Sequence, residues 1–114
     1  MDVYYTGQFV LSLPEGHRFP MAKYHMLRDR LVAEYAGIEL KTAMPASDGM
    51  LALAHTPEYI RELTSGSILA CAMREIGFPW SPRMAERARR SVGATIAAAR
   101  AALQGGEGVA ANLA

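Results

Sequence analysis

The side chains best suited to bind a ligand lie in the segment "PEGHRFP", where His17, Arg18 and Phe19 stand between Pro14 and Pro20. Proline fixes its own φ and restricts the residue before it, so this segment has few conformations. An imidazole, a guanidinium and an aromatic ring on a constrained loop are groups that often line binding sites. The segment is therefore a candidate binding surface.

A second segment, "GFPWSP", has the same character, with Phe78 and Trp80 between a glycine, two prolines and a helix start. Aromatic rings on a rigid loop favour a binding role. The alternative is that both rings pack against the edge of a sheet. The residue types alone leave the two interpretations equally open.

The residue types and their spacing give little support for a metal site or for nucleophilic catalysis. His25 and Asp29 are four apart on a predicted helix, which suits a shared metal ion, but neither His17 nor His55 supplies a second local pair. We therefore predict no zinc site within this chain. The sequence has no Walker loop, GxGxxG or GxSxG motif, and Ser81 has no histidine close in sequence.

A basic turn occurs on the longest predicted helix, with Arg83, Arg87, Arg89 and Arg90 in close succession. Glu86 precedes Arg90 by four residues, which is the spacing of a helical ion pair, and no aromatic residues interleave. We interpret the turn as a solvated helix face. This interpretation argues against nucleic acid as a partner.

Composition favours one small α/β domain. The chain has 114 residues, of which 51% are hydrophobic, and a net charge of +1, which indicates no preference for an anionic membrane or nucleic acid. The single cysteine, Cys71, excludes an internal disulfide and is predicted to be a small buried side chain. No apolar run is long enough to span a bilayer, and the first residues are not typical of a signal peptide, so we expect a cytoplasmic protein.

The spacing of apolar residues and the positions of glycine and proline predict strands alternating with helices. This order is typical of a parallel sheet with helices on its faces. Ser47 or Asp48, Thr56 and Ser81 are predicted N-caps, while Gly37 and Gly77 are predicted helix ends. The predicted elements are a strand at 3–6, a loop at 7–20, a helix at 21–36, a strand at 38–44, two short helices within 45–66, a helix at 67–77, a long helix from 82 to 104 and a strand at 108–114.

Two helices carry apolar stripes at helical spacing, and we expect both stripes to be buried. The first consists of Tyr24, Leu27, Leu31 and Tyr35. The second, of mostly small residues that permit close approach to a sheet, consists of Ala85, Ala88, Val92, Ile96, Ala99 and Leu103.

Four segments, taken in order, resemble the N-terminal part of the histone deacetylase superfamily, and especially its bacterial members akin to class IV enzymes. They are "FVLSLPEGHRFPMAKYHMLRDRL", "HTPEYIRELTSG", "IGFPWSPRMAERARRSVGATIAAARAAL" and "GVAANLA". The resemblance covers essentially all 114 residues. It implies that residues 1–114 are an incomplete portion of one domain with an arginase/deacetylase-like three-layer αβα fold and a parallel sheet.

The resemblance also implies a zinc-dependent hydrolase that removes acetyl groups from lysine, or acts on a related acylamine. In the family, zinc polarises the acyl carbonyl and activates a water, a histidine pair moves protons, and a tyrosine stabilises the oxyanion. A family strand ending like "NLA" runs into a Gly-Gly-x-His-His element, and the zinc ligands come later. The expectation is a fragment ending before that element, with no catalytic or metal-binding residue and no activity or zinc binding alone.

Two loops carry over from the family as the rim of the substrate channel. The resemblance places His17, Arg18, Phe19 and Pro20 in one of them, and Phe78 and Trp80 in the other. Several class I members hold the substrate backbone with an acidic residue in the second region. No acid stands between Gly77 and Pro82 here, so a smaller or different acyl substrate is expected.

A non-enzymatic alternative remains open. A short chain with an incomplete sheet presents unpaired strand edges, which pair readily with other strands. The chain would then be an interaction or assembly module, with self-association through these open edges. In the deacetylase-like reading, by contrast, the resemblance implies that "GVAANLA" is a buried central strand cut at its C-terminal end.

Overall fold

The chain forms a mixed α/β structure, as predicted. A computed structural model describes residues 1–7 and 9–114, so Gln8 of the predicted 7–20 loop lies outside the described residues. The elements, in chain order, are β1 (Asp2–Tyr4), α1 (Lys23–Glu34), β2 (Glu39–Lys41), α2 (Asp48–Leu51), α3 (Pro57–Ser65), α4 (Ala70–Ile76), α5 (Pro82–Gln104) and β3 (Ala110–Asn112). All eight were predicted, but the strands and α1 are shorter than expected.

The three strands form a parallel sheet in the order β2-β1-β3. Val3 lies opposite Leu40 on one side and Ala111 on the other, and its side chain is almost completely buried. β3 lies at the edge of this sheet and its three residues are only half-buried. Among the described residues β3 pairs with β1 alone, so the expectation that 108–114 is a central strand of a larger sheet stays a prediction.

One helix packs directly on the sheet. Side chains alternate along a strand, so Tyr4 and Asn112 point to one face and Val3 and Tyr5 to the other. The Asn112 Nδ2 group donates to Thr95 Oγ1 at 2.9 Å, which places α5 on the first face. The Arg28 guanidinium of α1 lies 5.2 Å from the centre of the Tyr5 ring, just after β1.

The long helix α5 packs through its smallest side chains. Gly93 and Ala94 are buried, and a Cβ at Gly93 would lie 2.0 Å from the Met44 carbonyl oxygen. The stripe predicted from spacing is wrong over much of its length, since Ala99 is exposed, Val92 is 37% exposed and Leu103 is 86% exposed. Close approach of backbones favours the glycine and alanine face over the face with larger side chains.

The helix ends follow local chemistry. The side-chain oxygens of Ser47, Thr56 and Ser81 each accept a hydrogen bond from the backbone N–H three residues later, as N-caps do. Gly77 ends α4 in the left-handed conformation, with φ of 81°. Gly37 does not adopt that conformation, so its predicted role as a helix end is wrong; α1 ends at Glu34, and Tyr35 is already extended.

Two expected burials are not observed. No residue of α1 is buried, and Leu27 and Tyr35 of its predicted stripe are 47% and 57% exposed. Cys71 on α4 is exposed as well, because no residue of that short helix is buried. Among the helices of residues 1–7 and 9–114, none combines the length and apolar character needed to cross a lipid bilayer.

Candidate functional site

The two loops singled out in the sequence meet in the structure. The His17 and Phe78 rings stack with their centroids 5.6 Å apart and their planes 14° from parallel. Phe19 contacts the same Phe78 ring edge-on, at 5.1 Å and 79°. Three aromatic rings from segments about 60 residues apart therefore form one cluster. Such stacked and edge-to-face pairs are the arrangements that aromatic quadrupoles prefer.

Backbone hydrogen bonds fix the His17 ring. Its Nδ1 accepts from the Phe19 N–H at 3.2 Å, and its Nε2 lies 3.1 Å from the Gly77 carbonyl oxygen. Since the carbonyl can only accept, this network assigns the hydrogen to Nε2 and leaves Nδ1 unprotonated. Both nitrogens are thus used in holding the two loops together. In this geometry His17 positions the rim and is not free to act as a base.

Trp80 is anchored to α3. Its Nε1–H donates to the Leu63 carbonyl at 2.7 Å. Its ring covers Gly66, where an added Cβ would lie 2.7 Å from the indole. Gly66 also has a φ of 83°, so both the conformation and the contact require glycine. The ring therefore packs on the C-terminal end of α3. The alternative raised by the sequence, packing against the edge of the sheet, does not hold for Trp80.

The cluster lines a shallow depression of about 410 Å³. Its lining includes the side chains of His17, Phe78 and Trp80, together with Gly77 and Pro79. The rest comes from α4, through two side chains that sequence reasoning did not single out, Met73 and Arg74. The available signal was positional, since both precede the predicted helix end at Gly77 by one turn. Of the other rim residues predicted, Phe19 contacts Phe78 from outside the depression, while Arg18 and Pro20 are exposed and do not line it.

The basic turn of α5 holds the loop after β1 in place. Arg83 Nε donates to the Val10 carbonyl at 2.7 Å, and the Arg87 guanidinium lies 4.9 Å from the centre of the Tyr24 ring. The Arg90 guanidinium lies 4.0 Å from the centre of the Phe9 ring. The interpretation of this turn as a solvated face is therefore wrong, because these side chains pack against residues that are distant in sequence.

Two ion pairs complete the turn. The predicted pair of Arg90 and Glu86 is confirmed, with Nε 2.6 Å from Oε1. Arg89, whose side chain is only 18% exposed, lies 2.6 Å from Asp48 and donates to Thr64 Oγ1 at 2.8 Å. It thereby joins α5 to α2 and α3.

A lysine of α1 also contacts the aromatic cluster. Lys23 Nζ lies 4.4 Å from the centre of the Phe19 ring.

Both loops belong to the carboxyl edge of the sheet. The loop at 7–20 follows β1 directly, and the segment at 77–81 precedes α5, which leads into β3. In a parallel α/β sheet, helices begin beside the carboxyl ends of the strands and return to their amino ends. That carboxyl edge is where such sheets bind ligands.

The described residues do not offer a zinc site. Within residues 1–7 and 9–114, no three His, Cys, Asp or Glu side chains converge as metal ligands. Asp29, a candidate with His25, accepts from Arg28 Nε at 2.8 Å. This part of the chain does not fit a structural or catalytic zinc ion.

Comparison with known proteins finds a similarity over most of the chain. The chain is 34% identical over 106 residues to an uncharacterized protein of Picosynechococcus sp., a match that covers 91% of this chain. The same match covers 35% of the relative, so the chain spans about a third of that protein's length. No family model matches the chain.

Proposed function

We propose that the chain is part of a zinc-dependent amide hydrolase similar to histone deacetylases, with an arginase/deacetylase-like fold and an acylated lysine or small acylamine as substrate. The observation that carries the proposal is the contact between the loops around His17 and Phe78. The family resemblance places these two loops at the rim of one substrate channel. Their stacking at 5.6 Å is what that assignment requires.

The topology supports the same proposal. The sheet is parallel, the long helix α5 packs on it, and the rim cluster belongs to the carboxyl edge. The described residues supply no zinc ligand set, so their proposed role is binding and not bond breaking. His17 and Trp80 hold the rim in shape, and the depression beside them receives part of the substrate.

The test uses the protein purified from its own cells. Its intact mass and its zinc content are measured, together with hydrolysis of an acetyl-lysine peptide with and without a chelator. We expect a mass several-fold above 12.4 kDa, one bound zinc and chelator-sensitive activity. The isolated 114-residue chain should bind no stoichiometric zinc and show no activity. A larger native protein that neither binds zinc nor hydrolyses acylamides would contradict the proposal.

A second candidate is a non-catalytic assembly module, favoured by the outer edge of β3. Within the described part of the chain this edge pairs with no strand, and Val109 just before it is 53% exposed. Such an edge is a template for pairing. This candidate predicts a native mass near 12.4 kDa and an oligomer by light scattering. A stable monomer of that mass would contradict it.

A further inference from the structure

We propose that the depression beside His17 and Trp80 binds a carboxylate carried on an apolar chain, with Arg74 as the partner of the anion. Of the described residues that line it, Arg74 is the only one with a charged side chain. Apolar or aromatic surface in the same depression comes from Met73, Phe78, Pro79 and Trp80. A largely apolar concavity with one oriented charge is the usual composition of a site for a small amphipathic ligand.

Within the described part of the chain, the Arg74 guanidinium has no partner and is available to a ligand. Arg28, Arg30, Arg89 and Arg90 each form an ion pair. Arg74 is exposed and forms no hydrogen bond, ion pair or ring contact with any residue of 1–7 or 9–114. A guanidinium presents paired N–H groups whose geometry matches a carboxylate. Arg74 also lies in the last turn of α4, where the helix dipole favours a cation. The dipole alone does not account for the aromatic side chains that line the same depression.

The walls of the depression are fixed before any ligand arrives. His17 is held through both ring nitrogens, and Trp80 through its indole N–H and its contact with Gly66. Gly77 ends α4 and also accepts from His17, so the helix that carries Arg74 is attached to the loop opposite. Preorganised walls reduce the entropy lost on binding.

Two sources of the carboxylate fit this chemistry. One is an acidic residue beside the modified lysine of a peptide, and the other is an acyl group on lysine that itself ends in a carboxylate. This choice of substrate class rests on the proposed function, whereas the preference for a carboxylate does not. Binding to the isolated chain therefore tests the site separately from catalysis.

Trp80 provides the measurement, since it is the only tryptophan in the chain and lines the depression. Its fluorescence is followed while three end-blocked peptides are titrated. The first has acetyl-lysine beside glutamate, the second has acetyl-lysine beside glutamine, and the third has succinyl-lysine beside glutamine. We expect the first or the third peptide to bind about threefold to tenfold more tightly than the second.

Two variants locate the effect. Arg74→Gln should abolish the preference while binding of the glutamine peptide stays within twofold. Arg61→Gln, which removes an exposed arginine from α3 outside the depression, should keep the preference. Equal affinity for all three peptides in the unaltered chain, or an undiminished preference in Arg74→Gln, would overturn the inference. The comparison of peptides on the unaltered chain stands even if a variant does not fold.

Discussion

His17 and Gly77 are joined across 60 residues of sequence, with the imidazole Nε2–H donating to the glycine carbonyl at 3.1 Å. The same carbonyl belongs to the residue that ends α4, and the same imidazole accepts from Phe19 through Nδ1. One side chain thus connects the loop after β1, the end of α4 and the Phe78 ring. The arrangement makes the rim one unit, because this side chain holds the loop after β1 to the segment of Gly77 and Phe78.

Replacement of His17 should therefore lower stability in two separable steps. His17→Phe keeps a ring on Phe78 but loses both hydrogen bonds, and should cost about 1 kcal/mol. His17→Ala also loses the stacking and should cost about 2–3 kcal/mol. Chemical denaturation followed by Trp80 fluorescence measures both. Arg18→Ala is the control, since Arg18 is exposed and has no partner among the described residues; it should be neutral. Equal stability of His17→Phe and the unaltered chain would contradict the role of the hydrogen bonds.

Features set by neighbouring residues could be predicted from the sequence. The caps at Ser47, Thr56 and Ser81 depend on a side chain and an N–H only three residues apart. The pair of Glu86 and Arg90 depends on one turn of helix. The two rim segments could be named because prolines and aromatic residues cluster in them, although only the structure shows that His17 and Phe78 touch.

Features set by distant residues could not be predicted. The face of α5 that packs is decided by the approach of the Met44 carbonyl to Gly93, and no periodicity contains that information. The contact of Arg87 with Tyr24 depends on where α1 lies over the sheet. Arg74 was missed for a similar reason. A single arginine in a helix does not indicate a binding site, and only the structure shows that it lines the same depression as Trp80 and His17.

Arg89 should contribute to stability although it belongs to a run of arginines. It bonds Asp48 and Thr64 with a side chain only 18% exposed, so Arg89→Met leaves both partners without their cation. We expect the free energy of unfolding to fall by about 1–3 kcal/mol. Arg100→Met, on an exposed position of the same helix, should change it by less than about 0.5 kcal/mol. If the two variants are equally stable, the Arg89 contacts do not hold α2 and α3 to α5.

A methyl group at Gly93 should be tolerated poorly. An added Cβ would lie 2.0 Å from the Met44 carbonyl oxygen and 3.0 Å from the Ala46 nitrogen, both backbone atoms. Gly93→Ala should therefore cost about 3 kcal/mol or prevent folding. Gly49→Ala is the matched control on α2, because its nearest neighbour is Ser47 Oγ at 3.9 Å. The control should gain about 0.5–1 kcal/mol from helix propensity. Thermal unfolding by circular dichroism compares them, and a neutral Gly93→Ala would refute the close contact of α5.

Lys41 should titrate above its ordinary value. The hydrogen bond that Lys41 Nζ donates to the Asp2 carboxylate, 2.9 Å away on the neighbouring strand, raises the pKa of Lys41 above 10.5, with smaller help from the charges of Asp2 and Glu39. Because the pKa is higher in the folded state, this stabilisation is present below about pH 10.5 and is lost as the pH rises through the folded value. NMR titration of the Lys41 side chain should show the pKa fall more in Asp2→Asn than in Glu39→Gln. An unchanged value in Asp2→Asn would contradict the pairing.

The exposed thiol of Cys71 should react in the folded protein. α4 buries none of its residues, so a thiol reagent reaches Cys71 without any unfolding. We expect one thiol per chain to be labelled in native buffer at a rate within a few-fold of the rate in denaturant. A thiol buried in the core would instead react only through rare unfolding, about 10³-fold or more slowly. Cys71→Ala removes the labelling and should alter stability by less than about 0.5 kcal/mol, because an exposed side chain leaves no cavity. Slow labelling together with a destabilised Cys71→Ala would show that α4 packs against more of the protein than the described residues contain.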